Sequence, residues 1–289
     1  MTENRETSRD DAFCCGGAAQ LPGSPDQIVE RVRERYGRIA ESGDSCGCGA
    51  GGEHEVAERI GYDAAQLDAV PEGANLGLGC GAPIRHLRLQ ADEVVLDLGS
   101  GGGMDAFLAS SLVGPKGRVI GVDVTPEMIE PARENALRGN HVNVEFRLGR
   151  LEELPLDDGS VDAVTSNCVI NLVPDKGRVF AEVARVLRPG GRIVISDIVL
   201  DGELPEALSK DLLAYVGCVA GARQRDDYFD LVEKAGLREV LIFDDKDYLA
   251  AVGEELLPEE VRSFMKRNEI GFDEIAGRVR SITFGATRP

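Results

Sequence analysis

Seven cysteines and three histidines are the residues of this 289-residue chain that most plainly bear chemistry. Three of the cysteines stand in distinctive surroundings. Cys80 lies in LGLGCGAP, Cys168 in SNCVINL and Cys218 in AYVGCVAGA. Glycines on both sides of Cys80 leave its backbone open to close approach. Each of the three falls near a loop or the end of an element, which suits a thiolate cluster better than an apolar filler. Soft thiolates select soft, thiophilic ions. Three of them around a trivalent metalloid leave its lone pair free, and a nucleophile of that kind sheds no proton and needs no general base. His54, His86 and His141 all fall outside these three cysteine stretches, as that chemistry allows; an oxygen or nitrogen acceptor more often calls for a histidine base. Upstream, GDSCGCGAGGEHE carries Cys46 and Cys48, and Cys14 and Cys15 are adjacent near the start. Cys46, Cys48 and His54 have neither the spacing nor the fourth ligand of a structural zinc site.

A second signal is VLDLGSGGGMD, residues 95–105. A strand ends near Asp97, and Gly99, Ser100, Gly101, Gly102 and Gly103 open the next helix. Glycines permit the sharp turn and let a ligand lie against bare backbone, and the helix amides favour an anionic group such as a carboxylate. The dinucleotide pattern G-x-G-x-x-G is incomplete, because Met104 stands where its third glycine belongs. Asp123 ends the following strand, where an acidic side chain accepts from two ribose hydroxyls. The pair indicates a nucleoside ligand without naming it.

The elements that must hold these groups follow from the pattern. Apolar runs EVVLDLG (93–99), RVIGVDV (118–124), VNVEFRLG (142–149), SVDAVTSNCVI (160–170) and RIVISDIVL (192–200) alternate with helical stretches. Buried parallel strands read this way. REVLIFD (238–244) and VRSITFGATRP (279–289) add two more, one of them antiparallel. The expectation is an α/β fold: a Rossmann-like, doubly wound, seven-stranded sheet with helices on both faces. DKGRVFAEVARVLRPGG reads as a helix ended by Pro189 and Gly190, and Pro131 falls inside the helix after Asp123. Residues 1–75 read as an N-terminal extension: a disordered tail, a helix capped by Asp26, and a cysteine-bearing loop. Residues 76–289 read as the main domain, with a helical insertion near 246–275. The acidic run DDKD (244–247) reads as solvated surface.

The net charge is −19, with 51 acidic against 32 basic residues. Such a surface repels phosphate backbones and anionic lipid. No run approaches the roughly 18 apolar residues of a membrane helix, and the polar start MTENRETSRDDAF is unlike a secretory signal. A cytoplasmic location, with thiols kept reduced, is the expectation.

Over residues 76–289 the chain resembles the class I S-adenosylmethionine-dependent methyltransferases. The resemblance rests on DLGSGGG, on Asp123 in GVDVTPEMI, on LPLDDGSVDAV and on VLRPGGRIVISD. It implies a cofactor site made of Asp97, Gly99, Ser100, Gly101, Gly103, Asp123, Val124 and Met128, with Gly149, Arg150 and Leu151 at the adenine edge and Asn167 in contact. LGLGCGAP, VEFRLGRLEELP, SNCVINLVPDK, VLRPGGRIVISDIVL and LLAYVGCVAGA further resemble the arsenite methyltransferases. That resemblance implies arsenic(III) held by Cys80, Cys168 and Cys218. It also implies a fourth functional thiol, Cys46 or Cys48, that pairs with Cys80 in turnover, and a thiol reductant of thioredoxin or glutathione type. Two alternatives stay open on the residues alone: a methyltransferase for a carbon or oxygen acceptor such as a quinone, and a thiol-based arsenite- or metal-binding protein without turnover.

Overall fold

A computed structural model describes residues 21, 23–42, 52–253 and 259–289. Cys14, Cys15, Cys46 and Cys48 lie outside the described residues. The central parallel strands are β1 (Val94–Leu98), β2 (Arg118–Asp123), β3 (Val144–Leu148), β4 (Val161–Asn167) and β5 (Leu187–Leu200). The two-residue β6 (Arg223–Gln224) pairs only with β5, and β7 (Arg238–Asp247) and β8 (Val279–Thr287) complete one sheet. Its order is β3-β2-β1-β4-β5-β8-β7. β8 runs antiparallel between β5 and β7. The expected seven strands are therefore present, with β6 as a short addition.

Helix α1 (Pro25–Ser42) precedes α2 (Gly52–Ile60) and α3 (Ala64–Asp68). Helices α4 (Met104–Val113) and α5 (Pro126–Arg138) cover one sheet face. There Val95, Phe107, Val119 and Phe146 form an apolar layer. Leu96, Val122, Phe180 and Tyr228 pack on the other face, beneath α6 (Lys176–Val186). Successive β1 residues thus enter opposite layers, as strand geometry requires. Short helices α7 (Glu206–Ser209) and α8 (Leu212–Val216) follow β5, and α9 (Arg225–Lys234) follows β6. Helices α10 (Tyr248–Val252), α11 (Glu259–Arg267) and α12 (Phe272–Ile275) separate β7 from β8, where the helical insertion was expected.

Local departures from the sequence reading have physical causes. α1 begins at Pro25 rather than after Asp26, and the Gln27 amide donates to Ser24 Oγ at 3.4 Å. Proline suits a first helical position, so the helix starts earlier. α6 ends at Val186, before Pro189, because buried Leu187 already pairs with Val161 in the sheet. Pro131 is accommodated within a continuous α5. The 244–247 run is solvated as expected, with Asp245 and Lys246 exposed, and it also forms the end of β7: Asp245 pairs with Arg225 and Arg280, and Asp247 caps α10. No helix among the described residues is long and apolar enough to cross a membrane.

Candidate active site

In an open α/β sheet the crevice opens where strand order reverses, outside the carboxyl ends. Here β1 lies between β2 and β4, and a cavity of about 290 Å³ sits at that point. The glycine turn forms one wall. Gly99 and Ser100 donate to the Val122 carbonyl at 2.7 and 3.1 Å, which folds the turn back over β2. The Gly101 amide donates to Asp123 Oδ2 at 3.0 Å, and Thr125 donates to Oδ1 at 2.9 Å. A Cβ on Gly102 would stand 2.8 Å from the Ala74 carbonyl oxygen, whereas one on Gly101 meets only Met128 Sδ at 3.9 Å. Gly101 therefore presents bare backbone to the cavity.

Asp97, Gly99, Ser100, Gly101, Asp123, Val124, Met128 and Asn167 all line this cavity. Gly103 does not. It caps α4 at φ 96°, close against Phe107 and Phe146. Arg150 and Leu151 line a smaller adjoining cavity of about 40 Å³, together with Gly99, Asp123 and Val124. Gly149 lines neither cavity and packs near Pro155. Val32 of α1 borders both cavities, and Arg150 pairs with Asp26 of that helix at 3.2 Å.

Carboxylates crowd the floor. Asp97 is 3% exposed and its Oδ2 has no hydrogen-bond partner; Ser100 Oγ is likewise buried without one. Burial, then the nearby Asp105 and Asp123, hold the Asp97 carboxyl well above the usual range. Asp105 is pushed up to about 6 by burial, against the lowering hydrogen bond from Tyr62.

The thiols of Cys80, Cys168 and Cys218 line the same cavity. The thiol pKa of Cys168 responds to both of the others. The three are not closed into one set: Cys218 Sγ is turned onto the Cys168 carbonyl oxygen at 2.8 Å. Among the described residues no three His, Cys, Asp or Glu side chains are already closed into a metal site. Cys168 and Cys218 both adopt left-handed backbone, at φ 58° and 66°. That conformation is uncommon outside glycine and stores strain of order 1 kcal/mol or more per residue. It is held at Cys168 by the amide bond to the Ser196 carbonyl, 2.8 Å, and at Cys218 by the bond to Tyr215, 2.9 Å.

Cys80 is held by its backbone. Its amide donates to Asn167 Oδ1 at 3.0 Å, and its carbonyl accepts from Ser281 Oγ at 2.5 Å. Desolvation raises the Cys80 thiol. At Cys168 the hydrogen bond with Cys218 lowers the thiol pKa, but the bond with Cys80, burial and the charge of Asp197 together carry it well above the usual value. No histidine lines the cavity; His86 instead stacks on Phe243 and lies 3.3 Å from Asp244.

Several site groups escaped the sequence reading. Tyr62 and Asp105 line the cavity, and Tyr62 donates to Asp105 Oδ1 at 2.7 Å. Behind the thiols lies a buried polar group. Asp197 accepts from Tyr228 at 2.9 Å and from Asn171 Nδ2 at 2.8 Å. Lys176 Nζ donates to the Asn171 and Val173 carbonyls at 3.3 and 3.0 Å. Burial pulls Lys176 down to about 8 and pushes Asp197 up to about 6. A lone aspartate inside the apolar run RIVISDIVL was the available signal.

Comparison with known proteins agrees with this geometry. A methyltransferase-domain family pattern matches residues 89–236. The chain is 50% identical over 231 residues to an arsenite methyltransferase of Halobacterium salinarum, a match covering 75% of this chain and 59% of that protein. It is 39% identical over 168 residues to human arsenite methyltransferase, covering 55% of this chain and 44% of that one. The chain thus spans about half the length of these curated relatives. An arsenic(III) S-adenosylmethionine methyltransferase from Chlamydomonas reinhardtii superposes with a TM-score of 0.56 at 30% identity, covering 82% of this chain and 73% of that structure. On sheet order, glycine turn and these matches, the chain belongs to the methyltransferase-domain family, in its arsenite methyltransferase branch.

Proposed function

We propose that this protein transfers the methyl group of S-adenosylmethionine to trivalent arsenic held by Cys80, Cys168 and Cys218. The observation that carries the reading is that three thiols and a nucleoside-type glycine turn share one cavity. The residues present fit the cofactor. Gly101 leaves open space against its backbone for the amino-acid portion of the cofactor, and the unpartnered Asp97 Oδ2 suits its ammonium group. Asp123 faces the ribose, and Leu151 and Arg150 border the slot for the adenine. When bound, the cofactor supplies an electrophilic methyl group on a cationic sulfur.

The acceptor's chemistry suits the thiols of Cys80 and Cys168, whose pKa values are raised. Arsenous acid is neutral, and each thiol that bonds to arsenic releases one water, so three thiols expel three waters and no charge is buried. Cys218 turns away from the Cys168 carbonyl to complete the set. The arsenic lone pair then takes the methyl group, forming an As–C bond while the sulfur–methyl bond breaks. Arsenic is formally oxidised from III to V. A thiol then attacks one arsenic-bound sulfur: its proton leaves to solvent, a disulfide forms as that arsenic–sulfur bond breaks, and the electron pair stays on arsenic, which returns to III. Cys46 or Cys48 is our choice of partner for Cys80 in that step, and an external thiol reductant of thioredoxin or glutathione type reopens the bridge. A reducing cytoplasmic setting suits this cycle.

The test supplies purified protein with arsenite, S-adenosylmethionine and a thiol reductant, and speciates arsenic by mass spectrometry. Mono- or dimethylated arsenic is the expected product, and its complete absence refutes the assignment. Turnover of a quinone-type acceptor that survives Cys80→Ser and Cys218→Ser would favour a carbon or oxygen methyltransferase instead.

A further inference from the structure

Tyr62 lies before the glycine turn in sequence, yet it stands between the two halves of the site. It is 4% exposed, and its hydroxyl is engaged twice. It donates to Asp105 Oδ1 at 2.7 Å, and it accepts from Asn167 Nδ2 at 3.0 Å. Asp105 belongs to the first turn of α4, directly after the glycines. Asn167 is the residue that holds the thiol loop. Its Oδ1 accepts from the Cys80 amide at 3.0 Å and its Nδ2 donates to the Gly81 carbonyl at 2.7 Å. An unbroken line of hydrogen bonds therefore runs from the cofactor wall, through one hydroxyl, to the backbone on both sides of a cysteine.

The Asp105 end of this line is sensitive to what fills the cavity. Asp105 lies 7% exposed beside Asp97, whose Oδ2 lacks a partner. A cationic group meeting Asp97 relieves the crowding of the carboxylates and favours ionised Asp105. An ionised carboxylate binds a hydroxyl donor more strongly than a neutral one. The Tyr62 bond tightens, and with it the grip of Asn167 on the Cys80 loop. We propose that Tyr62 is a positioning residue that couples occupancy of the cofactor cavity to the order of the Cys80 loop. This rests on the methyltransferase reading above. Coupling of this kind is reciprocal, so loading the thiols with arsenic also tightens cofactor binding.

The test measures how fast Cys80 is alkylated by N-ethylmaleimide, read peptide by peptide by mass spectrometry, with and without saturating S-adenosylmethionine. Calorimetry establishes saturation, and no arsenic is needed. In the parent protein the cofactor slows alkylation of Cys80 about tenfold or more. In Tyr62→Phe, which keeps the ring and its packing, the protection falls below about twofold at full saturation. Asp105→Asn keeps an acceptor oxygen for Tyr62 but cannot ionise, so its protection, expressed as a rate ratio, also falls below about twofold. Equal protection in the parent and Tyr62→Phe would mean that the ligand merely shields the thiol, which overturns the coupling and leaves the methyltransferase reading intact. Failure of the parent to bind S-adenosylmethionine overturns both.

Discussion

Gly81 follows Cys80 and lies against the centre of the sheet. A Cβ placed there would stand 2.6 Å from Ser196 Oγ, 2.9 Å from Ser196 Cβ and 3.0 Å from Thr283 Oγ1. Ordinary contact begins near 3.4 Å, so the closest approach falls short by about 0.8 Å. Ser196 and Thr283 cannot yield easily. Both are buried in paired strands, β5 and β8, and their hydroxyls share a 2.8 Å hydrogen bond. The loop must retreat instead, carrying Cys80 away from Asn167 and Ser281. Overpacking of this kind costs about 1–3 kcal/mol, and a displacement near 1 Å at a reacting group costs on the order of 10²-fold in rate. Gly81→Ala is therefore expected to lower Tm by a few degrees and to lower kcat/KM for arsenite methylation by about 10- to 100-fold. Cofactor affinity, measured by calorimetry, should change less than about threefold. Ser196→Gly removes the nearest two of the three contacts, so the double variant should recover at least about 1 kcal/mol relative to additivity. A Gly81→Ala protein indistinguishable from its parent in Tm and rate, or a strictly additive cycle, would refute the steric argument.

Other outcomes follow from the same geometry. Asp123→Ala removes the carboxylate that the proposed function assigns to the ribose and should weaken S-adenosylmethionine binding by about 1–3 kcal/mol; calorimetry checks it, and unchanged affinity removes Asp123 from the site. Serine at Cys80, Cys168 or Cys218 should each abolish arsenite methylation while leaving cofactor affinity within about threefold, as product speciation and calorimetry would report. Asp105 and Asp197 are raised to about 6 from an ordinary 3.8. For a raised carboxyl, the stabilising contribution is full below the unfolded value and is lost as pH rises through the folded one. Asp197→Asn should therefore flatten the fall in stability between pH 4 and pH 7; denaturant titrations across that window test it, and an unchanged slope counts against the raised Asp197.

Much of this architecture was legible because it rests on local patterns. β1, β2 and β5 are apolar runs ended by glycine or by polar residues, and the glycine turn announces itself in GSGGG. The cysteines could be singled out for the same reason, through the short contexts around them. What could not be read depends on contacts distant in the chain. Tyr62 meets Asp105 across 43 positions and Asn167 across 105. No periodicity encodes such a meeting, since one hydroxyl in one turn gives no repeating signal. The left-handed backbone at Cys168 and Cys218 was equally hidden, because it is imposed by the sheet and loop that hold each residue. Asn167 shows the middle case. Its place at a strand end was readable, but its use was not: its oxygen and one amide hydrogen serve the thiol loop, and the other amide hydrogen goes to the Tyr62 hydroxyl.

The arrangement of the thiols bears on which ions they can take. Cys80 and Cys218 belong to an apolar cluster that includes Leu172, Ile198, Met265 and Val279. Three thiolates gathered there around a divalent cation would bury a net negative charge, which is costly without compensating partners. Such a cation would also have to expel the thiol protons into solvent, from groups that burial already holds protonated at Cys80. A neutral trivalent oxyacid meets neither obstacle, because each proton leaves in a water molecule and the product carries no charge. Under the proposed function, Cys218 exchanges its bond to the Cys168 carbonyl for a bond to arsenic, so strength of the sulfur–arsenic bond, rather than a ready-made cage, closes the site. Selectivity under the proposed function comes from the apolar surroundings and from the raised thiol pKa values of Cys80 and Cys168.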